Sequence, residues 1–225
     1  MFPETSGRYI EVFGGGGSVM FYKEKHAKFE VYNDADSQLV NLFRCIKHHC
    51  GELQREIDGY MTSREMFEDI KARIDMRGFT DIQRASMFYV QIRASFGADI
   101  RTFGCNNRNI SKMSGYLTDI QERLKNVVIE NKDFENLIKV YDRPNALIYC
   151  DPPYYTAEKY YDADFTEADH LRLKNCLDGV KGKFVLSYND CGFVRELYKD
   201  YIIIGVERQN NLSSGVYREV VVRNY

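Results

Sequence analysis

The segment Leu147-Ile-Tyr-Cys-Asp-Pro-Pro-Tyr-Tyr155 decides the fold that this chain is expected to adopt. Its first four residues are mainly apolar and suited to strands, as in a strand that is buried in a sheet. Two consecutive prolines end the strand, because proline cannot donate to a sheet ladder and its ring fixes the backbone. The segment therefore predicts a buried strand that holds Asp151 and Tyr154 rigidly at the carboxyl edge of a sheet.

Working outward, short runs rich in Val, Ile, Phe and Tyr predict strands along the rest of the chain. The predicted strands cover residues 8–13, 28–32, 126–129, 146–150, 183–187, 201–206 and 219–222. Helical patterns at residues 37–49 and 167–177 lie between strands, and this alternation indicates a mostly parallel α/β sheet. Only a polar loop at residues 208–217 separates the last two strands, so they are expected to form an antiparallel C-terminal hairpin.

The stretch between residues 52 and 125 has a different character. Its strand signal is weak, helical patterns at residues 63–74 and 82–94 dominate, and a turn-rich basic stretch follows them. We therefore expect residues 1–51 and 126–225 to form one domain, with residues 52–125 as an inserted helical subdomain.

The composition sets outer limits on the kind of protein. A chain of 225 residues can bury one core without disulfides, and its net charge of -2 argues against a uniformly basic nucleic-acid coat protein. Six scattered cysteines indicate a reducing cytoplasm. His48 and His49 lie between Cys45 and Cys50, but no second ligand pair follows, so no metal site is expected. No apolar run reaches the roughly 18 residues that a membrane span needs, so no membrane partner is expected.

A second motif, Glu11-Val-Phe-Gly-Gly-Gly-Gly-Ser18, joins a strand directly to four glycines. Glycines at the carboxyl edge of a sheet let the backbone approach a ligand, although a flexible loop would read the same way. Asp34 ends the next predicted strand, where an acidic residue holds a ribose in nucleotide-binding folds. The alternative is that Asp34 caps the helix that follows.

The Asp-Pro-Pro-Tyr segment suits one kind of chemistry in particular. An amino nitrogen conjugated to an aromatic ring is a poor nucleophile, because its lone pair is delocalised. The Asp151 carboxylate and the Pro152 carbonyl can accept its hydrogens and direct the lone pair toward a methyl donor. The Tyr154 ring can stack on a flipped base, a contact worth about 1 to 3 kcal/mol. Cys150 is expected to be a packing residue, since direct transfer needs no cysteine.

On these motifs, with Asp133-Phe134 and the closing stretch Arg218-Glu-Val-Val-Val-Arg-Asn-Tyr225, the chain resembles the Dam-like DNA N6-adenine methyltransferases over nearly its whole length. That family belongs to the class I S-adenosylmethionine-dependent superfamily. The resemblance implies a Rossmann-like sheet, mostly parallel with a C-terminal antiparallel hairpin. It also implies site-specific methylation of a flipped adenine in double-stranded DNA, with S-adenosylmethionine as the methyl donor, by a monomer or weak dimer.

The resemblance also implies roles for individual residues. Asp34 would bind the ribose hydroxyls of S-adenosylmethionine, and Asp133 with Phe134 would address its adenine. The residues implied to bind this cofactor are Glu11, Phe13, Gly15, Gly17, Asp34, Asp133, Phe134 and Asp151. The residues implied to carry the reaction are Asp151, Pro152, Pro153 and Tyr154.

The inserted stretch supplies the expected DNA-binding residues. Residues 84–112 include five cationic residues and only one acidic residue. This excess of positive charge favours contacts with DNA over a merely solvated helix surface. The residues expected to bind DNA are Arg93, Arg101, Arg108 and Lys112.

Departures from the family pattern keep alternatives open. The family's opening Gly-Gly-Lys segment has no counterpart here, Val12 replaces a proline, and Phe96-Gly-Ala-Asp-Ile-Arg101 keeps only its Phe and Arg. The alternatives are a catalytically silent DNA-binding relative and an amino methyltransferase that acts on RNA or protein. The residues leave open the target sequence and whether the role is restriction–modification, mismatch marking or evasion of phage defence.

Overall fold

The computed structural model describes residues 2–3, 7–104, 110, 114–155, 165–209 and 216–225. The chain forms two units. The sheet unit comprises Met1–Ala35 and Lys132–Tyr225, and the helical unit comprises Asp36–Asn131. The second unit therefore begins earlier and ends later than the insertion expected at residues 52–125.

The described residues contain seven strands and seven α-helices. The strands are β1 (Arg8–Glu11), β2 (Phe29–Asn33), β3 (Val127–Glu130), β4 (Ala146–Cys150), β5 (Lys183–Asn189), β6 (Ile202–Gln209) and β7 (Val216–Arg223). The helices are α1 (Ser37–Asp58), α2 (Arg64–Arg73), α3 (Asp81–Ala94), α4 (Leu117–Leu124), α5 (Phe134–Tyr141), α6 (Glu167–Asp178) and α7 (Gly192–Leu197). Short 3-10 turns occur at Met20–Tyr22, Phe96–Ala98 and Ser114–Tyr116.

Six strands of the sheet unit lie side by side in the order β2-β1-β4-β5-β7-β6. β1 is parallel to β2 and β4, and β4 is parallel to β5, whereas β7 is antiparallel to both β5 and β6. The predicted mixed α/β sheet, mostly parallel with an antiparallel C-terminal hairpin, is confirmed. The two hairpin strands are joined by a loop too short for the crossover helix that parallel strands need.

Burial explains why β4 lies in the interior of this sheet. All five of its residues are buried, as expected of a parallel strand covered on both faces. Ile10 pairs with Val31 on one side and with Ile148 on the other, and all three are fully buried. This apolar centre holds the ends of β1 and β4 in a fixed relation.

The helical unit is organised by α1, which packs against α3. The helix predicted at residues 37–49 continues to Asp58, although the backbone at His49 leaves helical geometry (φ -137°, ψ 35°). Beyond that kink Leu53 and Ile57 are fully buried. Because the apolar stripe of α1 packs within this unit, its boundary lies at residue 36 rather than at residue 52.

Two further observations concern membranes and metals. Within the described ranges no helix is long and apolar enough to cross a membrane. The described cysteines are free thiols. Cys45 and Cys50 are buried in α1 while His48 and His49 are exposed, so the four side chains do not converge. Among the described residues no group of three or more His, Cys, Asp or Glu is arranged to hold a metal ion.

Candidate active site

The glycine motif that follows β1 and the Asp-Pro-Pro-Tyr segment that follows β4 leave the sheet at the same edge. β1 and β4 are parallel neighbours, and Glu11 lies opposite Tyr149 in their register. Immediately beyond β1, the Val12 amide donates to the Tyr149 carbonyl at 2.9 Å. The chain continues from β1 to β2 on one side and from β4 to β5 on the other, so this is the switch point at which open α/β sheets bind ligands.

The glycine loop after β1 combines a fixed turn with an open surface. The backbone is left-handed at Gly15 (φ 49°) and Gly17 (φ 72°), and Gly17 donates to the Gly14 carbonyl at 2.8 Å. A Cβ on Gly17 would lie 2.4 Å from the Phe21 ring, whereas a Cβ on Gly15 or Gly16 would meet nothing within 4 Å. The loop backbone at Gly15 and Gly16 is therefore open to a ligand.

Asp34 faces this loop from the end of β2. Its Oδ2 accepts a hydrogen bond from the Gly15 amide at 2.8 Å, and the Tyr32 hydroxyl donates to the Gly15 carbonyl at 2.6 Å. The helix-capping role belongs to Asp36 instead, whose Oδ1 accepts from the Gln38 amide at 2.8 Å. Asp34 is half-buried, so its carboxylate lies beside the glycine backbone at the sheet edge.

Asn33 is a site residue to which the sequence analysis gave no role. It is 1% exposed, and its Nδ2 donates to the Val12 carbonyl at 2.8 Å and to the Lys132 carbonyl at 3.1 Å. Its Oδ1 accepts from the Lys132 amide at 2.8 Å. Asn33 thus joins the segments that follow β1 and precede α5 to the end of β2. The available signal was an amide residue ending an otherwise buried strand.

Asp133 and Phe134 lie at the start of α5. The Asp133 side chain caps the helix by accepting from the Glu135 amide at 3.1 Å, and Arg172 donates to it at 2.8 Å. The Arg172 guanidinium also lies 4.2 Å from the centre of the Phe134 ring. Arg172 is a second residue that the sequence analysis missed, since nothing in the chain near α6 indicated its partner.

Three aromatic rings gather beside this helix. The Phe13 ring centre lies 5.6 Å from Phe134 and 5.7 Å from Phe165, and Phe134 lies 5.8 Å from Phe165. Such spacings are typical of tilted or edge-to-face aromatic packing. The cluster brings Phe13 and Phe134 together, although they are far apart in the sequence.

On the other side of the switch point, the Asp-Pro-Pro-Tyr segment follows β4. Asp151 is exposed, Pro152 is buried, and Pro153 and Tyr154 are half-buried. The Tyr154 hydroxyl donates to Oε1 of Glu219 at 3.2 Å. Burial, followed by the negative charge of Asp151, raises the pKa of the Tyr154 phenol, so the phenol stays protonated.

Two further candidates, Glu11 and Cys150, are enclosed. Glu11 is 1% exposed, and the Tyr9 hydroxyl donates to its Oε2 at 2.8 Å. Cys150 is fully buried, and burial raises the pKa of its thiol well above the ordinary value. A buried thiol with a raised pKa is a poor nucleophile, which fits a packing role for Cys150.

The residues expected to bind DNA belong to the helical unit. Arg93 is half-buried with its guanidinium 5.4 Å from the centre of the Tyr89 ring. Arg101 is exposed, and its carbonyl accepts from the Lys71 ammonium at 3.0 Å. Arg108 and Lys112 lie outside the described residues.

Comparisons with known proteins point in one direction. The model of a family described as D12 class N6 adenine-specific DNA methyltransferase matches residues 1–212. The type II methyltransferase M.CviBI of Paramecium bursaria Chlorella virus NC1A is 26% identical over 219 residues, which cover 92% of this chain and 82% of that protein. The type II methyltransferase M.MjaIII of Methanocaldococcus jannaschii is 25% identical over 264 residues, covering 97% and 88%.

A solved structure is also similar, though distantly. An rRNA methylase from Streptococcus thermophilus aligns with a TM-score of 0.40 at 10% identity, covering 98% of this chain and 89% of that one. A likeness of this size carries no argument about the substrate of this chain.

Proposed function

We propose roles for the residues of this site, starting from the family to which the chain belongs. That family is the D12 class N6 adenine-specific DNA methyltransferases. The chain is therefore an enzyme that transfers a methyl group to the exocyclic N6 amino group of adenine in DNA. Membership also implies the use of S-adenosylmethionine. The proposal concerns which residues hold that donor, which hold the adenine, and what each does.

The residues at the ends of β1 and β2 fit S-adenosylmethionine. The Gly15 and Gly16 backbone borders open space, and the Asp34 carboxylate beside it can accept hydrogen bonds from ribose hydroxyls. Phe13 and Phe134 provide aromatic surface for an adenine ring, with Asp133 at the same helix start. Gly17 keeps the turn in shape, and Glu11 holds the end of β1. When bound, the donor supplies a methyl group on a positively charged sulfur.

The residues after β4 receive the adenine. The Asp151 carboxylate and the Pro152 carbonyl accept the two hydrogens of the amino group, which directs its lone pair away from the ring. The Tyr154 ring stacks on the base, and Pro153 keeps the segment extended. As the carbon–nitrogen bond forms, the bond between that carbon and sulfur would break and leave a neutral thioether. The methylated amino group then carries a positive charge and loses one proton, which the Asp151 carboxylate would accept. Holding nitrogen and methyl in contact supplies much of the acceleration.

The DNA side of the proposal involves the helical unit. The target adenine leaves a double helix, at a cost of a few kcal/mol, to reach a site at a sheet edge. Arg93, Arg101, Arg108 and Lys112 contact the surrounding DNA, whose phosphates attract cations. We propose that the enzyme acts as a monomer or weak dimer.

One observation carries the proposal: the Asp-Pro-Pro-Tyr segment and the glycine loop leave adjacent parallel strands at the switch point of the sheet. The test incubates the protein with S-adenosylmethionine and unmethylated plasmid DNA, then measures N6-methyladenine in the digested nucleosides by mass spectrometry. The wild type should produce it and Asp151→Ala should lose at least about a hundredfold in rate.

A matched control separates the site from the fold. Asp200, an exposed aspartate in the turn after α7, is replaced by alanine and should leave the rate unchanged. Parallel reactions with single-stranded DNA and with an RNA transcript test the substrate. Methylation of RNA in preference to duplex DNA, or equal rates for Asp151→Ala and the wild type, would contradict the proposal.

A further inference from the structure

Residues 151–155 follow β4 and are called the acceptor segment below. They are held by a pair of residues on β5 and β7, two neighbouring strands on one side of β4. Asn189 ends β5, and Glu219 lies directly opposite it on the antiparallel strand β7. Both side chains are half-buried. In antiparallel sheets, directly opposed side chains have Cβ atoms about 4.5 to 5.5 Å apart. The side chains of Asn189 and Glu219 are therefore close neighbours on one face of the sheet.

Each member of this cross-strand pair bonds a different tyrosine of the acceptor segment. Oε1 of Glu219 accepts from the Tyr154 hydroxyl at 3.2 Å. Oδ1 of Asn189 accepts from the Tyr155 backbone amide at 3.2 Å. One bond therefore holds the outer end of the Tyr154 ring, and the other holds the backbone that follows it.

We propose that Glu219 and Asn189 are positioning residues that hold in place the Tyr154 ring against which the target base stacks. The inference rests on the proposed function, in which Tyr154 carries the flipped adenine. In this proposal Glu219 acts through the Tyr154 hydroxyl and not on the base or the donor directly. Asn189 acts through the Tyr155 backbone.

The surroundings support a fixed ring. The next residue, Tyr155, stacks on Phe193 with ring centres 4.1 Å apart and planes 14° apart, and its hydroxyl donates to Glu167 at 3.0 Å. Tyr154 itself lies 6.2 Å from the Tyr188 ring. Burial first, and the Asp151 charge next, raise the pKa of the Tyr154 phenol. The phenol therefore stays protonated and can donate its hydrogen bond to Glu219. The ring that should bear the base thus cannot swing about its Cα–Cβ bond without breaking a hydrogen bond to a carboxylate.

The bond can be tested without any activity. The protein is labelled with tyrosine carrying ¹³C at Cζ, and the Tyr154 resonance is identified as the one missing from Tyr154→Phe. Glu219→Ala should shift that resonance. Glu207→Ala should not, because Glu207 is an exposed glutamate on the neighbouring strand β6 that faces Arg218. An unmoved Tyr154 resonance in Glu219→Ala would overturn the proposal whether or not the protein methylates DNA.

The consequence for the reaction is measured as kcat and KM on unmethylated plasmid DNA. Glu219→Ala should lower kcat by about tenfold to a hundredfold, since small misplacements of reacting groups have effects of that size, with KM for S-adenosylmethionine unchanged. Glu219→Gln keeps an acceptor oxygen and should stay within about fivefold of wild type, because a neutral acceptor makes a weaker bond than a carboxylate.

A double variant decides whether Glu219 acts through Tyr154. Tyr154→Phe should lower kcat about as much as Glu219→Ala, and combining the two should bring no further loss. Equal losses from Glu219→Ala in the wild-type and Tyr154→Phe backgrounds would show that Glu219 acts elsewhere. An unchanged kcat in Tyr154→Phe, which preserves the ring and removes only the hydroxyl, would likewise reject the proposal.

Asn189 is tested in the same way. Asn189→Asp keeps an oxygen that can accept from the Tyr155 amide, and Asn189→Ala removes it. The alanine variant should lower kcat and the aspartate variant should restore most of the rate. Equal rates for both variants would exclude a positioning role for Asn189. If the wild type methylates no DNA, the proposed function fails, whereas the ¹³C experiment still decides the Tyr154–Glu219 bond.

Discussion

The site has a donor side, formed by the glycine loop, Asp34, Asp133 and Phe134, and an acceptor side, formed by the segment at residues 151–155. The two sides are held together in different ways. On the donor side, Gly15 binds Asp34 and Val12 binds Asn33, contacts between residues 19 and 21 positions apart. On the acceptor side, Tyr154 binds Glu219 across 65 positions and Tyr155 binds Asn189 across 34. The glycine loop of the donor side is therefore held within one strand–loop–strand unit, while the acceptor side depends on the pair of strands β5 and β7.

This difference teaches where each side is vulnerable. The donor side relies on backbone geometry, with left-handed glycines and a buried amide that satisfies three backbone groups. The acceptor side relies on side chains contributed from distant strands. Variants of the donor side should thus affect folding and cofactor affinity, whereas variants of the acceptor side should affect turnover.

The largest effect is expected from Asn33→Ala. The variant leaves the Val12 carbonyl and both backbone groups of Lys132 without their partner, and it opens a small cavity. We expect the free energy of unfolding to fall by roughly 3 kcal/mol, measured by urea denaturation. Asn175→Ala, at an exposed position of α6, is the control and should change stability little. A loss no greater than the control's would show that the amide does not organise the donor side.

Asp34→Ala should come next and should act on affinity. Hydrogen bonds to a charged group are worth about 1.5 to 3 kcal/mol, so affinity for S-adenosylmethionine should fall by about tenfold to a hundredfold in calorimetric titration. Asp36→Ala removes the α1 cap at a cost of about 1 kcal/mol in stability and should leave affinity intact. Reversed outcomes for these two neighbouring aspartates would contradict the assignment of the donor side.

Tyr154→Ala should impair the acceptor side without affecting the donor side. Loss of base stacking, worth about 1 to 3 kcal/mol, should lower kcat/KM for DNA by about fivefold to a hundredfold. Affinity for S-adenosylmethionine should stay at the wild-type value, measured by the same titration as for Asp34→Ala. A parallel fall in donor affinity would mean that the two sides are not separable in the way their contacts indicate.

The smallest effect is expected at Cys150, between the two sides. Burial raises the pKa of its thiol well above the ordinary value, so raising the pH from 7 to 9 should produce no thiolate there and no change in rate from this residue. Cys150→Ala should keep the wild-type pH profile of methylation between those limits. A step in the wild-type profile that is absent from Cys150→Ala would point to a chemical role for the thiol.

Much of the donor side was legible in the sequence. The glycine run, Asp34 and the strand before them carry local signals, since left-handed turns favour glycine and buried strands favour apolar runs. The family, the fold class and the enzyme class expected from the whole set of motifs, above all the Asp-Pro-Pro-Tyr segment, are confirmed. The individual cofactor, catalytic and DNA-binding roles stay predictions, which the variants above test.

Other features could not be anticipated from local patterns. Asn33 was visible only as an amide residue at the end of a strand, because its partner Lys132 is 99 positions away. The continuation of α1 past His49 depends on the packing of Leu53 and Ile57 within the helical unit. Arg172 had no sequence signal, since its contacts with Asp133 and Phe134 arise only when α5 and α6 meet.

The sequence by itself determined the kind of sheet, the two motifs at its edge and the chemistry that they suit. Those conclusions follow from properties that act over a few residues: proline geometry, glycine freedom and apolar periodicity. The tertiary structure alone decided that Asn189 and Glu219 stand opposite each other and hold Tyr154 and Tyr155. Strand order and register set such contacts, and both depend on how the whole unit packs rather than on any one segment.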